Sequence, residues 1–168
     1  MSTVYSTLVS LQDAIYDWLD PLATEQFIWA KERAPAPVSP YFSLNLTTMA
    51  VAEGAGYERI ISGSNRTIVQ RRQATLNIQS FGFAAVERLM AIKSRLYLES
   101  SQEALVNANI SLIRDEDVID ISELLETQIQ ERASMDLILG YTRSDVDGTN
   151  WIEKVQVEDI WGDVTTIG

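Results

Sequence analysis

The chain has 168 residues, 46% of them hydrophobic, with no cysteine, no histidine and a formal net charge of −11. Without cysteine there are no disulfides, thiolate zinc sites or cysteine nucleophiles. Without histidine there is no imidazole base, Ser-His nucleophile or HExxH site, so only carboxylate chemistry stays open.

Length and apolar content suit one domain, residues 1–168, and the four Trp, six Tyr and four Phe supply material for a core and for interfaces. The charge is uneven: residues 1–114 hold ten acidic and ten basic side chains, whereas 115–168 hold fourteen acidic and three basic. An acidic field repels phosphate, which argues against sequence-directed DNA binding yet allows an acidic wall beside passing DNA. The plainer reading is a solvated surface that keeps the protein soluble. The start of the chain lacks a basic n-region, and no apolar run approaches membrane-spanning length, so the expectation is a soluble protein with no membrane partner.

Leu8, Leu11, Ile15, Trp18 and Leu19 recur at helical spacing and predict an amphipathic helix over 4–19 that Pro21 closes. A short strand is expected around Phe27-Ile28-Trp29. The stretch Ala34 to Pro40 holds three of the four prolines and reads as an extended loop. Tyr41 to Thr48 alternates with period two and predicts a half-buried strand with Phe42, Leu44 and Leu46 inward. Residues 53–65 are turn material around a strand from Tyr57 to Ile61. Arg66 to Phe81 follows as an unusually long strand with Ala74, Leu76 and Ile78 on one face, bent or reaching beyond the sheet, and Gly82 ends it.

A second helix is predicted over 83–97, its face marked by Val86, Leu89, Met90, Lys93, Leu96 and Tyr97, packed on the sheet. Ser100-Ser101-Gln102-Glu103 resembles a capping box opening a third helix that ends near Asn107 or Asn109. Strands are expected at Asn109 to Arg114 and Val118 to Ile121, around an exposed acidic turn at 115–117. A further strand alternates Ala133, Met135, Leu137, Leu139 and Tyr141 over 131–142. Asp145-Val146-Asp147-Gly148 reads as a turn before a last strand, Trp151 to Ile160. Helices and strands segregate, which predicts an α+β fold: a mainly antiparallel β-sheet flanked by helices on one face.

Three stretches carry a family resemblance. Ser39-Pro40-Tyr41-Phe42-Ser43-Leu44-Asn45-Leu46 after the Pro-rich loop, Ile78-Gln79-Ser80-Phe81-Gly82 before a helix containing Ala84, Ala85 and Leu89, and Gln130-Glu131-Arg132-Ala133-Ser134-Met135-Asp136-Leu137 resemble the phage neck and tail terminator proteins. The stretches frame roughly residues 27–141 and leave 142–168 as a C-terminal extension available for partner contacts. The resemblance implies a tail-terminator-like fold without enzymatic activity or cofactor. It implies a virion protein that forms a ring, commonly a hexamer, caps the tail tube and joins it to the head-side connector. Its partners would be copies of itself, the tail tube protein, the connector or neck protein and, in a contractile tail, the sheath, with DNA only passing through. Assembly would take place in the host cytoplasm.

Interface candidates follow. Arg66, Arg71 and Arg72 are the one basic concentration, placed to meet the acidic third of a neighbouring subunit. Glu131 and Arg132 sit where the resembled family carries a glutamate and an arginine, and are expected to make a structural ion pair or strand-entry hydrogen bonds. Trp151 and Trp161 bracket the extension as core plugs or interface anchors. Two readings compete with the ring: another head-tail joining adaptor, and a carboxylate-dependent metal enzyme built on Asp115, Glu116, Asp117, Asp120, Glu123 and Glu126. The spacing of those acids lacks the EF-hand order, and Asp145-x-Asp147-Gly148 lacks the later acidic ligand of a calcium loop. No catalytic, cofactor or metal residue is assigned.

Overall fold

The computed structural model describes residues 7–31, 35–52, 56–62, 65–125, 128–147, 155–158 and 164–167. Three helices, α1 (Leu8–Leu19), α2 (Ala85–Arg95) and α3 (Glu99–Ala108), accompany eleven strands among these residues. The strands are β1 (Phe27–Trp29), β2 (Tyr41–Val51), β3 (Tyr57–Ser62), β4 (Asn65–Phe81), β5 (Ile110–Asp115), β6 (Ile119–Asp120), β7 (Glu123–Leu125), β8 (Gln128–Gln130), β9 (Arg132–Asp147), β10 (Val155–Glu158) and β11 (Val164–Ile167).

The principal sheet runs β1-β2-β4-β9-β5, with β3 also on β4 and β6 also on β9. β1 is parallel to β2 and every other pairing in the sheet is antiparallel. Its spine is the unbroken β4–β9 ladder, from Arg66 opposite Asp147 to Phe81 opposite Arg132. At roughly 3.3 Å per residue that ribbon is about 50 Å long. On the other side of β4, β2 pairs with Arg72 to Phe81 and β3 with Asn65 to Gln70, so the two lie end to end along one edge.

The period-two patterns put one apolar face inward. Phe42, Leu44, Leu46, Ala74, Leu76, Ile78, Ala133, Met135, Leu137 and Leu139 are buried, and helix residues close over them. α1 contributes Leu11, Ile15, Trp18 and Leu19, α2 contributes Ala85, Leu89 and Ile92, and α3 contributes Leu105. Each fully buried leucine of this set is worth about 1.5–3 kcal/mol over an exposed one. α1 is capped by Thr7, whose Oγ1 accepts the Ser10 N–H at 3.2 Å, and Pro21 opens the 3₁₀ turn that replaces its next turn. The buried Trp18 indole donates to Ser101 Oγ at 2.9 Å, which ties α1 to α3.

The α+β expectation with helices on one face is therefore met, and several local expectations are corrected. Met90 is exposed rather than buried on α2, because Ile92 and not Met90 faces the sheet, and Tyr97, beyond the end of the helix, is exposed as well. The predicted capping box fails: α3 begins at Glu99 after Leu98, and Ser101 is drawn inside the helix by its bond to Trp18. Asp115 is not exposed turn material, since Lys93 reaches it at 3.1 Å and the Tyr97 hydroxyl donates to it. Asp145 to Asp147 continue β9 instead of turning, because β4 offers ladder partners as far as Arg66. The β7–β8 hairpin was not anticipated. Val4, Gly148, Trp151 and Trp161 lie outside the described residues. Of the last predicted strand, Val155 to Glu158 pairs with Val164 to Ile167.

Candidate assembly surfaces

The two ends of the β4–β9 ribbon differ in construction. At the end where β2 and β9 begin and β4 stops, the chain turns through Gly82 (φ +93°) and Ala84 (φ +55°). A side chain at Gly82 would collide with Ser39, so only glycine fits there. Glu131 fixes the turn twice: its carbonyl accepts the Gly82 N–H at 2.9 Å and its carboxylate accepts the Ala84 N–H at 2.6 Å. Arg88 gathers the neighbouring carbonyls, donating to Phe81 at 2.8 Å, Gly82 at 3.1 Å and also Phe83. Tyr41 stacks on Phe81 with ring centroids 4.8 Å apart, and the Arg132 guanidinium lies 4.6 Å over the same ring while donating to Gln79 Oε1 at 3.0 Å. Glu131 and Arg132 thus hold the turn and strand entry through hydrogen bonds and stacking.

Apolar side chains stand out to solvent at this end. Phe83 is 83% exposed, and Val38 in the Pro-rich loop is 93% exposed. Beside them the β7–β8 hairpin projects past the start of β9, with cross-strand partners Leu124 and Ile129 each 71% exposed. Its base is anchored by Ser122, which receives the Arg132 N–H at 3.1 Å and donates to Asp120 at 2.6 Å. The Ser122 hydroxyl, and then its backbone N–H, hold the Asp120 carboxyl below its ordinary range. Formal charges at this end are mostly acidic, with Asp120, Glu123, Glu131, Glu25 and Glu87 against Arg88 and Arg132.

The opposite end is a three-stranded arm, β3-β4-β9, over which no helix among the described residues lies. On the face that continues the helix-covered side, Tyr57 aligns with Gln70 and Arg143, and Arg59 aligns with Ile68 and Asp145. Arg72 occupies the adjoining row beside Tyr141. The Arg59 guanidinium sits 5.2 Å from the centre of the Tyr57 ring, and Arg143 pairs with Asp145 at 3.2 Å. Arg71 is exposed on the opposite face, and Arg66 lies opposite Asp147 with its side chain outside the described residues. Of the expected interface residues, Arg66 lies in the arm, Arg71 and Arg72 lie at its root where the chain of β2 borders β4, on opposite faces of the sheet, and Glu131 and Arg132 belong to the other end.

Two further regions are occupied largely by internal contacts. On the uncovered face, Arg132, Gln79, Asn77, Asp136 and Ser134 form a continuous hydrogen-bonded ladder, with Asn77 Nδ2 donating to Asp136 at 2.6 Å and Ser134 at 2.8 Å. Asp115 and Asp117 share Lys93, at 3.1 and 3.4 Å, while Glu116 and Asp120 make separate contacts and Glu126 lies outside the described residues. Asp115 also goes to Tyr97, Glu116 to Arg114 at 2.6 Å, and Asp120 to Ser122. Among the described residues no three acidic side chains converge as a metal-binding group. Asp145 and Asp147 lie within β9, paired with β4, and not in a calcium-loop turn. Nor does any helix among the described residues have the length and apolarity to cross a membrane.

Sequence reasoning missed Phe83, Tyr57, Arg59, Arg143 and the Leu124/Ile129 pair. A usable signal was present for two of these: Phe83 follows directly on the strand-ending glycine, and Leu124-Leu125 and Ile129 flank the polar Glu126-Thr127-Gln128.

No curated protein matches the sequence significantly. A family model described as "Phage neck terminator protein" matches residues 9–167, which takes in the segment after 141. The chain belongs to the phage neck terminator family, structural proteins of the virion's head–tail junction that work by contact with other head and tail proteins.

Proposed function

We propose that copies of the chain close into a ring, a hexamer, that caps the head-proximal end of the phage tail tube, stops tube polymerisation and presents a docking surface to the head-side connector. DNA passes through the ring without sequence-specific contact, and the net charge of −11 suits a channel wall from which phosphate must be released. The work is structural, carried by surfaces rather than by a reacting group.

The observation that carries this reading is the family match over nearly the whole chain. The braced apolar end fits it, since a turn fixed by Glu131 and Arg88 holds Phe83 out to solvent, and large aromatics so presented are typical anchors of protein interfaces. A heterologous contact that closes on itself gives a finite ring, whereas one that does not close gives a filament. Negative-stain images of the purified protein test the proposal. Rings with a pore wide enough for duplex DNA, and tail tubes that stop growing when the protein is added, are expected. A protein that stays monomeric at high concentration and leaves tubes growing contradicts it.

A further inference from the structure

Resting on the ring reading above, we infer that the subunit contact joins the basic arm of one copy to the acidic hairpin end of the next. The two ends of one molecule are complementary in charge and alike in exposing apolar groups. The arm presents Arg59 and Arg143 around Tyr57, itself 59% exposed, with the half-buried Arg72 at its root, and Asp145 and Asp147 are the acids at register positions on the same face. The other end presents Asp120 and Glu123 beside the Leu124/Ile129 pair.

One chain cannot bring these surfaces together by itself. The Tyr57 row meets β9 at Arg143 and the hairpin leaves β9 at Arg132, eleven residues away, or roughly 35 Å along an extended strand. The complement of each end is therefore found only on another copy. A head-to-tail contact of this kind uses two different patches, which is the heterologous geometry a closed ring requires. Arginine and tyrosine are favoured at such contacts, where arginine binds carboxylates through two N–H groups and tyrosine covers apolar surface. The charges set the direction of docking and exclude arm-to-arm pairing, since like-charged surfaces repel on approach.

A charge-swap experiment tests the assignment. One variant carries Arg59→Glu and Arg143→Glu, and a second carries Glu123→Lys and Gln130→Lys, which are cross-strand partners on the exposed hairpin. Circular dichroism and thermal melting establish that both variants fold, and light scattering reads the assembly state. The expected result is that each variant alone loses the oligomer while an equimolar mixture regains it, because acidic arms then meet basic hairpins in alternation. Wild-type rings with both folded variants assembling as well as the wild type overturn this assignment but leave the ring standing, as does loss of assembly without recovery in the mixture. A monomeric wild type overturns the ring, and the contact with it.

Discussion

Along the same pair of strands, the half of the β4–β9 ribbon beneath the helices and the half beyond them obey different rules. From Ala74 to Ser80, and from Ala133 to Leu139, every second side chain is buried. From Thr67 to Gln73, and from Thr142 to Val146, no side chain is buried and the apolar ones are partly or largely exposed. Backbone pairing is continuous through both halves, so hydrogen bonding does not distinguish them. What distinguishes them is cover: α1, α2 and α3 lie over one half, and nothing among the described residues lies over the other. Stability resides in the covered half, and the bare half is free to specialise in contact.

The widest separation comes from cutting a side chain in each half. Leu76→Ala removes a fully buried group and is expected to cost about 3–4 kcal/mol of unfolding free energy, whereas Ile68→Ala in the arm costs less than about 1 kcal/mol, both read from urea denaturation. Similar losses at both sites would erase the distinction. Next, Trp18→Phe deletes the indole donor to buried Ser101 and should cost about 1–2 kcal/mol, since it loosens α1 against α3 and leaves the arm untouched. Glu131→Ala removes the acceptor for the Ala84 N–H and is expected to cost about 1–2 kcal/mol, with Glu131→Gln recovering most of it. That recovery separates bracing by hydrogen bonds from bracing by charge.

The smallest expected effect is a pH dependence at the Lys93–Asp115 contact. The Tyr97 hydroxyl, against the pull of burial and with Lys93 behind it, holds the Asp115 carboxyl below its ordinary value. Burial draws the Lys93 ammonium down, but its bonds to Asp115 and Asp117 outweigh that and leave it raised. A depressed carboxyl contributes stability that is present above its unfolded value, about 3.9, and is lost as pH falls through the folded one. A raised lysine contributes stability that is complete below about 10.4 and is lost as pH rises through its folded value. The contact is therefore intact from mildly acidic to mildly alkaline solution, and Asp115→Asn should flatten the acid limb of the stability profile, measured by melting temperature against pH.

Much of this architecture was readable before the fold was seen, because period-two burial and helical spacing each report a single buried face. Phe42, Leu44 and Leu46, or Ala133 to Tyr141, can satisfy their pattern in only one way. The readings that failed did so where a tertiary partner outweighed local composition. Asp145-Val146-Asp147 has turn chemistry, yet a waiting β4 strand kept it extended. Ser101 lies in a capping motif, yet Trp18 needed its hydroxyl in the core. The β7–β8 hairpin left no burial pattern at all, since its Leu124 and Ile129 face outward. The sequence marks the arm as a strand too long for its sheet, but not the grouping of Arg59 with Arg143, which come from β3 and β9 and are brought together across β4 only by register.

The contact between arm and hairpin end can be probed directly, because the chain has no cysteine and any thiol introduced is unique. A chain carrying Tyr57→Cys and Ile129→Cys, treated with a short bismaleimide after assembly, should give a covalent ladder rising from dimer to the full ring, while either single variant gives at most dimers. Assembled rings whose double-cysteine chains stay unlinked would contradict the account, for the two surfaces would then never have met.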